Sequence, residues 1–243
     1  MRRFFVGKNN ILKDLIVIQG SDATHITTVL RLHAGDDIQV CDGEGLLYLV
    51  RLEEVKNRSV KGKIISSEKI DTESPLKIHL GQSLIKGNKF DMVLKKSVEL
   101  GVQTITPLLT ERTVLKGNND KKFPRWKKII EESSKQCGIS SIPQISRTVT
   151  KLDAYCQQAK NSNLKLMFWE MEKDKGLKDI KPIDIPRSVD ILIGPEGGFT
   201  LAEVETARSY GFQTLGLGPR IFRAETAPLV VLSLLQSRWG DIR

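Results

Sequence analysis

Val189 to Thr226 reads VDILIGPEGGFTLAEVETARSYGFQTLGLGPRIFRAET, and the rest of the chain is organised around it. The apolar run Val189–Ile193, bounded by polar and turn residues, predicts a buried strand. Gly194-Pro195-Glu196-Gly197-Gly198 follows, a turn whose glycines permit backbone shapes that side chains forbid. Thr200 and Glu203 have the spacing of a capping box, so a helix should begin there and stop before Gly211. Phe212–Leu217 returns as a strand and ends in a second turn, Gly216-Leu217-Gly218-Pro219. Arg223-Ala224-Glu225-Thr226-Ala227-Pro228 then leads into an apolar helix, about Ala227 to Arg238. Two glycine turns at the ends of neighbouring strands make a backbone-lined crevice, the usual ligand site of an α/β sheet.

Outward from this stretch, strands alternate with helices from Leu76 on, which predicts a parallel sheet with crossover helices. Leu76–Leu84 and Val102–Leu109 read as strands around a helix with apolar residues at Phe90, Val93, Leu94 and Val98, stopped at Gly101. Pro124 introduces a helix over Trp126–Gly138. Lys151–Lys160 reads as a short helix, Leu164–Trp169 as a strand, and the charged stretch Glu170–Arg187, with Pro182 and Pro186, as a loop. Residues 1 to about 70 differ. Leu15–Ile18, Asp37–Val40, Gly45–Leu52 and Ser59–Ile65 are strand-like runs separated by turns, which suggests a small barrel or sandwich. Ser21-Asp22 caps one helix there, with Ile26, Val29 and Leu30 on a common face. Ile70–Pro75 is polar, ends in proline, and marks the domain boundary.

Lysine and arginine number 38 against 29 acidic residues, a net charge of +9 that favours a polyanionic partner, with nucleic acid the natural candidate. No window is long and apolar enough for a transmembrane helix. Met1–Lys8 has a basic start but no apolar region behind it for a signal peptide, so a cytosolic protein is expected. Cys41, Cys137 and Cys156 are far apart and read as reduced; His25, His33 and His79 show no zinc spacing with them, and no metal is expected.

Gly194 lacks the Gly-Lys-Ser/Thr ending of a P-loop, and Gly216-Leu-Gly218 lacks the third glycine of a dinucleotide fingerprint. GPEGGF-T, LGPRI-F and R-A-E-T-A in that order resemble instead the three cofactor-binding segments of the SPOUT (trefoil-knot) methyltransferases. Among these the chain is most similar to the bacterial family that makes 3-methyluridine in 16S ribosomal RNA. Lys86-Gly-Asn-Lys89…Glu99-Leu100-Gly101-Val102 and Arg125-Trp126-Lys127-Lys128…Gly138 resemble further signatures of that family, and Arg112 stands where it has an arginine. His25…Val29-Leu30-Arg31…Gly35-Asp36…Asp42-Gly43-Glu44-Gly45 resembles its RNA-binding amino-terminal domain. The resemblance implies an α/β protein in which a small PUA-like β-barrel (residues 1–70) precedes a SPOUT domain (75–243) with a parallel sheet and a deep trefoil knot. It implies S-adenosylmethionine as cofactor, with Leu192, Gly194, Glu196, Gly197, Gly198, Leu215, Leu217, Gly218, Ile221, Arg223, Thr226 and Ala227 around it. It implies 16S rRNA and the small ribosomal subunit as partner, with Arg2, Arg3, His25, Arg31, Lys86, Lys89 and Arg112 toward RNA, and a homodimer through the carboxy-terminal domain. Two positions depart from the pattern. Ile139 stands where the family has an arginine, with Arg147 as a substitute to weigh, and Ala224 stands where it has a threonine.

Methyl transfer from a sulfonium is an in-line displacement that needs mostly positioning. Glycine lets backbone donors approach a ligand closely, and Leu192, Leu217 and Ile221 are candidates for apolar walls. N3 of uracil is a poor nucleophile until its proton leaves, and a cation beside the uracil carbonyls would stabilise the anion. Arg223 is the first choice for that role, with Arg31 or Arg112 behind it. Glu225 or Glu196 could take the proton, although a carboxylate at Glu225 also suits the start of the last helix. Two other activities stay open: methylation of a ribose 2′-hydroxyl, and a catalytically silent RNA-binding or ribosome-assembly protein.

Overall fold

The structure, a computed structural model, describes residues 3–70, 72–114 and 122–243. These divide into two compact units, Met1–Glu73 with Ser134–Ile142 and Ser74–Ser133 with Pro143–Arg243.

In the first unit, alternating apolar residues fold into β1 (Arg3–Phe5), β2 (Leu15–Gln19), β3 (Asp37–Cys41), β4 (Leu46–Lys56) and β5 (Ser59–Lys69). They form one sheet in the order β1-β3-β4-β5-β2, in which only the β1–β3 pair is parallel. Register shifts at Leu49/Val50 and Leu52/Glu54 bend the two long strands. Ile16, Ile18, Ile38, Val40, Val50, Leu52 and Val60 pack with Phe4, Ala23 and Ile26 into a core. Helix α1 (Ser21–Thr24) continues as one π-helical turn, His25–Val29. That wider winding breaks the 3.6-residue spacing on which a shared face for Ile26, Val29 and Leu30 depended. Ile26 is buried and Val29 is 64% exposed.

The second unit is built on a sheet in the order β12-β10-β11-β6-β7-β8, with a short β9 also on β7. Its strands are β6 (Lys77–Ser83), β7 (Val102–Leu109), β8 (Gln144–Ile145), β9 (Thr150–Lys151), β10 (Leu164–Phe168), β11 (Ser188–Ile193) and β12 (Gln213–Leu215), and every pairing is parallel. The helices are α2 (Lys89–Glu99), α3 (Phe123–Cys137), α4 (Leu152–Gln158), α5 (Leu201–Ser209) and α6 (Ala227–Trp239). Leu108, Met167 and Leu192 from the strands pack with Tyr155 and Cys156 of α4 and Val204 and Ala207 of α5. The chain runs outward from β6 through β7 to β8, then returns beyond β6 to lay down β10 and slots β11 between the two. That reversal splays the loops at the carboxyl ends of β6, β10 and β11 and opens the sheet edge there. The end of α3, from Ser134, and the residues up to Ile142 group with the first unit. Lys135 pairs with Asp22 at 2.7 Å, the Ser140 N–H donates to Thr72 Oγ1 at 2.7 Å, and the Arg3 guanidinium donates to the Gly138 carbonyl.

Candidate active site

Because the sheet is parallel, the turns after β6, β7, β10, β11 and β12 share one edge. The capping box forms as its spacing predicts. Thr200 Oγ1 accepts from the Glu203 N–H at 3.3 Å, and Glu203 Oε2 accepts from the Thr200 N–H at 2.9 Å. The other oxygen of this buried carboxylate accepts from the Glu111 N–H at 2.9 Å, which ties the end of β7 to the start of α5.

The first glycine turn is held from three sides. Glu196 Oε1 accepts from the Lys86 N–H at 2.9 Å, and Arg112 Nη1 donates to the Gly197 carbonyl at 2.7 Å. Gly198 has φ +67°, and a Cβ there would lie 1.9 Å from an oxygen of Glu170. The second turn meets the segment that follows β10. A Cβ on Gly216 would lie 2.1 Å from the Glu172 carbonyl oxygen, and the Gly216 N–H donates to the Lys175 carbonyl at 2.8 Å. Beyond it Leu217 is half-buried and Ile221 is 81% exposed. The Arg223 carbonyl accepts from the N–H groups of Thr226 and Ala227 at 2.8 and 2.9 Å, which closes the turn into α6. The buried Glu225 carboxylate pairs with Lys89 at 3.0 Å, and its Oε2 has no hydrogen-bond partner among the described residues. Burial pushes its pKa up. A hydrogen bond from its own N–H, the Lys89 ammonium and the nearby Arg223 charge outweigh that and hold it below the ordinary carboxylate value.

The structure gathers Gly194, Gly197, Gly198, Leu217, Gly218, Ile221 and Arg223 on loops of this edge, and ties to them Lys86, Lys89 and Arg112. Other expected positions take different parts. Leu192 and Leu215 are fully buried strand residues, Leu192 in the core beneath α4 and α5, so their side chains are not pocket walls. Glu196 and Arg112 cross-brace loops, and Thr226 and Ala227 spend their N–H groups on the turn. Arg3, His25 and Arg31 belong to the first unit. There Arg3 anchors Gly138, His25 meets Phe4 edge-on at 6.3 Å, and the exposed Arg31 follows the π turn with φ 52°. Arg2 lies outside the described residues. Ile139 belongs to the first unit and Arg147 to the second.

Sequence reasoning missed Glu170–Gly176, which it took for plain loop. The available signal was acidic residues directly after a strand of a parallel sheet, the position where such folds place ligand contacts. Among the described residues no group of three or more His, Cys, Asp or Glu side chains stands close enough to hold a metal ion. No helix there is long and apolar enough to cross a membrane.

Comparison with known proteins adds to this geometry. Residues 72–236 match the family described as an RNA methyltransferase domain, and residues 18–65 match an RNA methyltransferase PUA domain. The chain is 30% identical over 245 residues to the ribosomal RNA small subunit methyltransferase E of Buchnera aphidicola, covering 99% of this chain and 95% of that one. Its Bacillus subtilis namesake is 32% identical over 226 residues, covering 90% and 88%. The solved structure of a Legionella pneumophila methyltransferase with bound cofactor SAM superposes with a TM-score of 0.90 at 36% identity, covering 99% of this chain and 98% of that one. A ribosomal RNA small subunit methyltransferase E from Neisseria gonorrhoeae, bound to S-adenosyl methionine, gives 0.89 at 32% identity over the whole of both chains.

Proposed function

The chain belongs to the RNA methyltransferase family and carries its PUA domain, and from that premise we propose that it transfers the methyl group of S-adenosylmethionine to N3 of a uridine in 16S ribosomal RNA. The observation that carries this is the likeness, over nearly the full length of both chains, to relatives named for methylating small-subunit ribosomal RNA. The crevice fits the cofactor. At Gly216 a Cβ would meet backbone and Gly198 has φ +67°, so glycine backbone lines it, and the adjoining segments carry two buried polar atoms with no hydrogen-bond partner among the described residues, Trp169 Nε1 and Glu225 Oε2. When bound, the cofactor supplies an electrophilic methyl group on a sulfonium.

The protein's share of the reaction is positioning and charge. Backbone groups of Gly194–Gly198 and Gly216–Gly218, with the half-buried Leu217, hold the nucleoside part. Arg223 is exposed and its side chain makes no hydrogen bond or salt bridge with the described residues, so its guanidinium is free to meet the uracil carbonyls as N3 loses its proton. Glu225 is a weak proton acceptor because its pKa is lowered; its work is to fix Lys89, and the N3 proton passes to solvent. The basic residues Arg3, Arg31, Lys86 and Lys89 meet phosphates. In this reading the protein acts in the cytoplasm as a homodimer paired through the carboxy-terminal unit. Incubation with labelled S-adenosylmethionine and small ribosomal subunits, followed by nucleoside mass spectrometry, tests the proposal. It expects 3-methyluridine. A 2′-O-methylated nucleoside would move the activity to the ribose, and RNA binding without transfer would make the protein a silent binder.

A further inference from the structure

Glu170 stands at the carboxyl end of β10, the strand that lies between β12 and β11 in the sheet. The turns that follow those two neighbours are the glycine turns, and both close on the short segment that follows β10. The Glu170 carboxylate rests against Gly198, where a Cβ would meet its oxygen at 1.9 Å, and the Glu172 carbonyl rests against Gly216, where a Cβ would meet it at 2.1 Å. Of the other carboxylates around this edge several are engaged, and the exposed Glu111 and Asp174 do not rest against a glycine of either turn as Glu170 does. Glu203 holds the capping box and the Glu111 N–H, Glu196 accepts from the Lys86 N–H, and Glu225 pairs with Lys89. Glu170 is exposed and has no hydrogen bond or ion pair among the described residues, in a chain with a net charge of +9. A carboxylate is thus left beside a crevice lined by backbone, with no partner among the described residues.

We propose that Glu170 is a cofactor-binding residue whose carboxylate holds a hydrogen-bond-donating or cationic group of S-adenosylmethionine. This rests on the methyltransferase reading above and adds to it a charged contact that the glycine turns cannot supply. S-adenosylmethionine offers three groups of suitable chemistry: the ribose hydroxyls, the α-ammonium and the sulfonium. Each gains from an unpaired carboxylate more than from a neutral acceptor. Gly198 belongs to the same device, because its missing side chain is what gives the carboxylate its place beside the turn.

The test is calorimetric titration of the full chain and of its Glu170→Gln and Glu170→Ala variants with S-adenosylmethionine, S-adenosylhomocysteine and 5′-methylthioadenosine. Removing the charge should weaken S-adenosylmethionine about tenfold, and removing the acceptor should weaken it further. Equal weakening of all three ligands assigns Glu170 to the ribose. Weakening of the first two alone assigns it to the α-ammonium, and weakening of S-adenosylmethionine alone assigns it to the sulfonium. Affinities within twofold of the parent for every ligand overturn the proposal. So does a fall of several degrees in melting temperature, which would make Glu170 a structural residue. Failure of the parent protein itself to bind S-adenosylmethionine would refute the proposed function rather than the assignment of Glu170.

Discussion

Gly216→Ala should damage the crevice because the obstacle to a side chain there is backbone. The added Cβ would sit 2.1 Å from the carbonyl oxygen of Glu172 and 3.2 Å from its carbon. The Gly216 N–H is bonded to Lys175 O at 2.8 Å, and Gly176 bridges to Gly216 as a parallel partner, so the turn cannot slide away cheaply. Relief requires the segment 172–176 or the turn itself to move, and overpacking of this kind costs about 1–3 kcal/mol. For a unit of this size that lowers the melting temperature by about 2–12 °C. The three tryptophans, Trp126, Trp169 and Trp239, all lie in the second unit, so tryptophan fluorescence follows its unfolding alone. The displaced wall should also weaken S-adenosylmethionine by roughly tenfold, measured by calorimetry below the transition. A variant with an unchanged fluorescence midpoint and an unchanged affinity would show that the close approach at Gly216 matters neither to the fold nor to the ligand.

Arg223→Ala should lower the methyl-transfer rate by about a hundredfold or more while leaving S-adenosylmethionine affinity within a few-fold, as expected of a cation that acts on the developing uracil anion. Equal losses in both would reassign it to cofactor binding. Glu225 has a depressed folded-state pKa, so its stabilisation is present above the ordinary carboxylate value of 4.5 and is lost as pH falls through the lower folded value. The melting temperatures of the parent and of Glu225→Gln should therefore differ at neutral pH and converge in acid; a constant difference would contradict the ionic role. On α6, Leu232 and Leu235 are buried while Leu234 is 45% exposed beside the half-buried Val230 and Leu229. Leu234→Glu should convert a dimer into a monomer by sedimentation equilibrium, and a parent protein that sediments at the monomer mass would end the dimer reading.

The local signals in the sequence carried far. The capping box at Thr200 and Glu203, the stop at Gly211 and the proline at the start of α6 each act over one helical turn, and α5 and α6 begin where those residues place them. The parallel sheet followed from the alternation of runs. What escaped is what depends on distant partners. Strands β8 and β9 have two residues each, too few to show a period. Strand β1 is made by pairing with β3, some thirty-six residues on, as Arg3 opposite Gln39 shows. Ser134–Cys137 ends the regular helix α3, and nothing in the stretch to Ile142 announces that its contacts are with Asp22 and Thr72. Leu192 was a candidate pocket wall, and the resemblance placed Leu215 at the cofactor. Their strands are covered, so their side chains face the core.

The residues that changed role show how the site is assembled. The resemblance places Glu196 at the cofactor and Arg112 toward RNA, and each holds the first turn to a loop from another strand, β6 or β7. Glu203 does the same between β7 and α5, and the Lys89–Glu225 pair joins α2 to the entrance of α6. Loops tied in this way are ordered before a ligand arrives, so little binding energy is spent on arranging them. The same ties leave few polar side chains uncommitted. Those at this edge include the exposed Arg223 and Glu170, one cationic and one anionic, on loops from β12 and β10, adjacent strands of the sheet. A cofactor that carries a sulfonium and an acceptor base that becomes an anion call for those two charges. On the proposed reading the physical division of the site is between braces that fix the backbone and unbraced charges, Arg223 and Glu170 among them, that meet the reactants.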